Sequence, residues 1–128
     1  MIIAIDFDGT IVEDKFPLVG EMKPGAKKAI NDLYLDGYTI IIWSCRTGVK
    51  KARAIEWLVM NGIRFHQFNK SCPINVAKYG GKDTRKVFAN LYIDDRMLYE
   101  LPHWDVIYKM VRELVPTYAD KVAIEGFL

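Results

Sequence analysis

The stretch that most constrains this 128-residue chain is its beginning, where Ile2-Ile3-Ala4-Ile5 runs apolar without a break and stops at Asp6. A strand with one wet face alternates apolar and polar residues, whereas a strand apolar at every position needs cover on both faces. The signature returns at Tyr38 to Trp43 and Ala89 to Ile93, with a shorter candidate from Ile63 to Phe68. Helical patterns lie between these runs. Pro24-Gly25 opens a stretch in which Ala26, Ala29, Ile30 and Leu33 share one face, and Gly37 stands where a helix cap belongs. Val49 to Met60 turns Ala52, Ile55, Leu58 and Val59 inward before Asn61-Gly62. Ile107, Met110, Val111 and Leu114 recur at helical spacing between His103 and Val115. The polar segment from Asn69 to Lys82 reads as a loop, with Gly80-Gly81 serving a turn. Strands alternating with helices imply parallel pairing through right-handed crossovers. The expected fold is therefore a three-layer, Rossmann-like α/β domain over residues 1–128, with a mainly parallel central sheet and no substantial cap.

Composition removes several function classes. The formal net charge is +2 and the basic residues are scattered, so the footprint of a nucleic-acid binder is weak. Cys45, Cys72, His66 and His103 are mutually isolated in sequence, which gives a zinc site little support and leaves Cys45 as a small buried residue. Unpaired thiols without a secretory leader point to a cytoplasmic protein. The apolar opening is far too short to span a membrane. Trp43, Trp57 and Trp104 read as packing residues.

Three of the strand candidates end in polar clusters. The first ends in Asp6-Phe7-Asp8-Gly9-Thr10, where alternation sends both carboxylates to the same side and Gly9 permits a tight turn. Neighbouring carboxylates repel unless a cation joins them, and hard oxygen ligands suit Mg²⁺. The second ends in Ser44-Cys45-Arg46, a hydroxyl followed by backbone N–H groups able to cradle phosphate oxygens. The late strand ends in Asp94-Asp95-Arg96. In a parallel sheet all three ends share one edge, where ligands bind in such folds.

In this pattern the chain resembles the haloacid dehalogenase-like phosphohydrolase superfamily, as a small capless member. Asp6-Phe7-Asp8-Gly9-Thr10 matches the first motif of that superfamily, Ser44 the second and Asp94-Asp95 the acidic fourth, in order over nearly the whole chain. The resemblance implies a Mg²⁺-dependent phosphatase, a phosphoric monoester hydrolase working through an aspartyl-phosphate. Asp6 would be the nucleophile and Asp8 the general acid/base. Asp6, Asp8, Asp94 and Asp95 would hold the metal. Gly9, Thr10, Ser44, Cys45, Arg46 and a lysine would hold the phosphate. For that lysine Lys86 is favoured over Lys82, with Lys70 and Lys78 also preceding the acidic strand. A dehalogenase expels halide and needs no second aspartate, so Asp8 favours phosphoryl transfer. An open crevice suits a phosphorylated small molecule or macromolecule, or a second copy of the chain acting as cover. The rivals are a non-catalytic phosphate- or metal-binding domain on the same fold, a receiver domain, and an activity like that of polynucleotide 3′-phosphatases, whose acidic motif Ile93-Asp94-Asp95-Arg96 resembles.

Overall fold

The computed structural model describes residues 1–125. Its elements run β1 (Ile2–Asp6), α1 (Ala26–Leu35), β2 (Thr39–Trp43), α2 (Gly48–Met60), β3 (Gln67–Phe68), α3 (Pro73–Lys78), β4 (Leu91–Ile93), α4 (Trp104–Leu114) and α5 (Tyr118–Glu125). The four strands form one all-parallel sheet in the order β3-β2-β1-β4. A small Rossmann-like α/β fold without a cap is what the strand signatures require, because β1 and β2 are buried along their centres on both faces.

The two faces are covered unequally. Ile3, Ile5, Ile40 and Ile42 point into the larger core, which they share with Ile30 and Leu33 of α1, Leu58 of α2 and Ile107 and Val111 of α4. Side chains alternate along a strand, so Ala4 and Ile41 face the other way. There they meet only Val87, Ala89 and a few half-buried neighbours. This second cover is the connection from β3 to β4, which carries α3 where the sequence pattern reads as a loop. That helix escapes the pattern because none of its six residues is buried, so no apolar stripe marks it.

Local signals explain most boundaries. Helix α1 ends on Gly37 at φ 100°, whose N–H reaches the Tyr34 carbonyl while that of Tyr38 reaches Leu33. Gly62 closes α2 in the same way. Strand β3 is shorter than the expected Ile63 to Phe68, because the His66 imidazole takes the Ile40 N–H that a backbone carbonyl would otherwise accept. Within α2 the buried pair is Ala54 and Leu58, and Ala52 and Val59 are exposed. The inward line is set by Trp57, which packs edge-on against Phe7 at 5.7 Å. In α4, Met110 and Leu114 stay partly open to solvent while Trp104 joins the core. Helix α5 begins in a reciprocal cap: the Thr117 N–H donates to the Asp120 carboxylate, and the Asp120 N–H to the Thr117 hydroxyl. No helix among the described residues is long and apolar enough to cross a membrane.

Candidate active site

Strand order decides where the site falls. The chain steps from β1 to β2 to β3 in one direction and then returns to lay β4 on the far side of β1. That reversal opens a crevice beyond the carboxyl ends of β1 and β4, the usual ligand position in such sheets. Asp6 is opposite Trp43 in the register, and Ile5 is opposite Ile93. Ser44 and Asp94 therefore leave the sheet on either side of Asp6.

Three carboxylates converge there. Asp6, Asp94 and Asp95 each offer an oxygen, all within 4.8 Å of one another, and all three are half-buried. The crowding appears in their protonation. Asp6 is pushed up to about 8, first by burial, then by the hydrogen bond it shares with Asp95 and the charge of Asp94, against a smaller opposing pull from Thr10. Burial also works against ionising Asp95, but hydrogen bonds from Asp6, Thr10 and backbone hold its carboxyl below the usual range. A proton on Asp6 thus stands in for a cation between two carboxylates.

Thr10 is fully buried and ties the first strand end to the last. Its hydroxyl lies 3.1 Å from Asp6 Oδ2 and 3.2 Å from Asp95 Oδ1, and it accepts the Asp95 N–H at 3.0 Å. Its carbonyl accepts the indole N–H of Trp104 at 2.9 Å. The Gly9 and Thr10 N–H groups donate to Val12 and Phe7 carbonyls, so these two expected phosphate contacts are occupied within the loop. Gly9 has φ 87°, and a Cβ there would collide with the Asp95 carboxylate. Its place in the motif is steric.

Asp8 stands apart from the trio, which corrects the expectation that it joins the metal ligands. Its two oxygens accept from Arg46 Nε at 2.7 Å and from Arg46 Nη2 at 2.6 Å. Arg46 is 1% exposed, and its remaining N–H groups go to the carbonyls of Pro17, Lys50 and Leu18. All five guanidinium donors are used. The guanidinium is therefore closed to a phosphate, and the Arg46 backbone N–H, the group expected to cradle one, donates to the Ser44 hydroxyl at 3.1 Å. The burial pattern of the second motif is inverted: Arg46 is inside, and Cys45, expected inside, is exposed.

Ser44 follows Trp43, the register partner of Asp6, and is half-buried, with its hydroxyl accepting the Arg46 N–H at 3.1 Å. Its peptide is clamped by Asn69, which accepts the Ser44 N–H at 2.7 Å and donates to the Ser44 carbonyl at 2.8 Å. Sequence reasoning missed Asn69. Its signal was available, since an Asn just after a strand tolerates the left-handed backbone, here φ 56°. Lys86 stacks over the Tyr92 ring at 4.9 Å, engaged with the flank of β4, and Lys82 is exposed in the turn after Gly80-Gly81. Of the four lysines, Lys70 comes two residues after β3 at the sheet's carboxyl edge, next to Asn69, which clamps Ser44.

Fold and site together define a small Rossmann-like protein with an acidic crevice at the switch point of its sheet. A conserved protein of Bacteroides thetaiotaomicron has a solved structure that matches at TM-score 0.79 and 41% identity, over 94% of this chain and 95% of that one. The chain belongs to the family of that conserved bacterial protein. No protein-family model and no curated protein matches it.

Proposed function

We propose that this protein is a phosphatase that hydrolyses phosphate monoesters through an aspartyl-phosphate on Asp6, with Mg²⁺ as its cofactor. The observation that carries the reading is the trio of Asp6, Asp94 and Asp95 within 4.8 Å, at the end of the central strand. Three carboxylates so close, one of them pushed up to about 8 first by burial and then by its neighbours, fit a hard divalent cation as donors. Bound there, Mg²⁺ would lower the repulsion between an anionic ester and a carboxylate nucleophile.

The chain's own residues divide the remaining work. An Asp6 oxygen attacks phosphorus, the bond to the ester oxygen breaks, and the departing oxygen takes a proton from Asp8, one oxygen of which must come off its Arg46 N–H to carry that proton. Asp8 then draws a proton from water as the water oxygen attacks the same phosphorus. The aspartyl bond breaks, Asp6 returns as a carboxylate and inorganic phosphate leaves. The Ser44 hydroxyl and a lysine meet the phosphoryl oxygens. By its position Lys70 is a better candidate than Lys86 for that lysine. The uncapped crevice admits a large phosphorylated substrate as readily as a small one.

The test is a panel of phosphate monoesters given to the purified protein with Mg²⁺. Wild type should turn over several of them, chelator should stop it, and Asp6→Asn should lose at least about 10³-fold in kcat. Equal rates for wild type and Asp6→Asn would remove Asp6 from the chemistry. An inactive wild type would favour a non-catalytic binding domain.

A further inference from the structure

We infer that Arg46 is a positioning residue acting through Asp8, tying the orientation of that carboxylate to the loop between Glu13 and Gly20. The inference rests on the phosphatase reading and specifies how its acid/base group is held. A planar guanidinium gripping both oxygens of a carboxylate at 2.7 and 2.6 Å fixes the carboxylate plane as well as its position. The same group binds the Pro17 carbonyl at 3.2 Å and the Leu18 carbonyl at 2.8 Å, so one side chain bridges the loop and Asp8. It lies over the Phe7 ring at 5.4 Å and the Phe16 ring at 5.2 Å, two aromatic contacts that help hold the guanidinium in place. The loop is itself pinned at its base, where Glu13 and Glu21 pair and Val12 bridges Met22, while Phe16 and Leu18 stay largely exposed at its tip.

Held by Arg46, Asp8 contributes no oxygen to the cluster of Asp6, Asp94 and Asp95. Two kinds of carboxylate, one group for a cation and one for proton traffic, are kept separate by a single buried cation.

A buried arginine with every donor satisfied is also what a purely structural staple looks like, so the experiment must separate the two. Wild type, Asp8→Asn, Arg46→Met and the double variant are assayed with Mg²⁺ and p-nitrophenyl phosphate, whose good leaving group keeps residual turnover measurable without Asp8. If Arg46 acts through Asp8, Arg46→Met lowers kcat by about 10²-fold in wild type with KM little changed, the scale expected when a catalytic group is misplaced. In the Asp8→Asn background the same change adds less than about threefold, because residues acting as a unit are not additive. An equal fold-loss in both backgrounds would overturn the assignment and leave Arg46 a structural staple. If Arg46→Met does not fold, the cycle is run with Arg46→Lys, which keeps the charge, loses the two-pronged grip and carries the same two outcomes. Absence of wild-type turnover would end the phosphatase reading and the role of Arg46 with it; additive losses in an active enzyme would end only the latter.

Discussion

Two sets of carboxylates leave the same edge of the sheet and meet opposite fates. Asp8 finds a cation supplied by the chain, in a pair where Arg46 is 1% and Asp8 16% exposed. Asp6, Asp94 and Asp95 find no cationic side chain, only one another, the Thr10 hydroxyl and backbone N–H groups such as that of Arg96. In the first case folding itself neutralises the charge; in the second, neutralisation is left to a proton or to a bound cation. The difference teaches that carboxylates two residues apart in one motif need not share a role, because their partners come from different parts of the chain.

The sharpest way to break the comparison is to remove one acid from each set. Asp8→Ala leaves a buried guanidinium without its counter-ion and should cost about 3–5 kcal/mol in urea unfolding, the usual cost of orphaning a buried charge. Asp94→Asn, by contrast, removes a repelling charge while keeping an oxygen for the Arg96 N–H, and in chelator it should cost nothing or stabilise. Similar losses for both would erase the distinction.

A smaller effect should be read from pH. The Asp6 carboxyl moves from 3.8 to about 8 on folding without a cation. A group whose folded value is raised adds stability that is fully present below the lower value and lost as pH climbs through the upper one. Cation-free protein should therefore lose stability between about pH 4 and pH 8, followed by unfolding midpoints in chelator. Mg²⁺ should shrink that loss by offsetting the second and third charges. Asp95 shifts in the opposite direction, so its contribution falls away only at acid pH, outside this window. A flat profile in chelator would mean the trio is not crowded.

The smallest effect belongs to an ion pair that joins neither set. Arg96 and Asp14 are 3.7 Å apart with side chains 83% and 44% exposed. Arg96→Ala should change stability by less than about 0.5 kcal/mol by the same measurement, since solvent screens such pairs.

How much of this was legible in the sequence follows from the range of the interactions. Strands β1 and β2 declared themselves because burial on both faces leaves an unbroken apolar run, β4 because its half-buried residues are apolar too, and parallel pairing then places their ends together. Asp6, Ser44, Asp94 and Asp95 were singled out on that basis; the three carboxylates lie within 4.8 Å of one another, and Ser44 follows the register partner of Asp6. Arg46 was misjudged because a buried charge is stable only through partners, and its partners include Asp8, 38 residues away, and loop carbonyls that no periodicity reports. Asn69 was passed over for a related reason: it serves a strand end 25 residues earlier. Helix α3 left no apolar stripe to read. Helix α5 shows in the sequence only as the pair Thr117 and Asp120 at its start.

Trp104 gives the molecule an optical handle on this chemistry. Of the three tryptophans it is the fully enclosed one, and its indole grips the carbonyl of the residue whose hydroxyl spans Asp6 and Asp95. A rearrangement among those carboxylates is one hydrogen-bonded residue away from an intrinsic fluorophore, so a cation added to the crevice should change the emission of Trp104 without any added label.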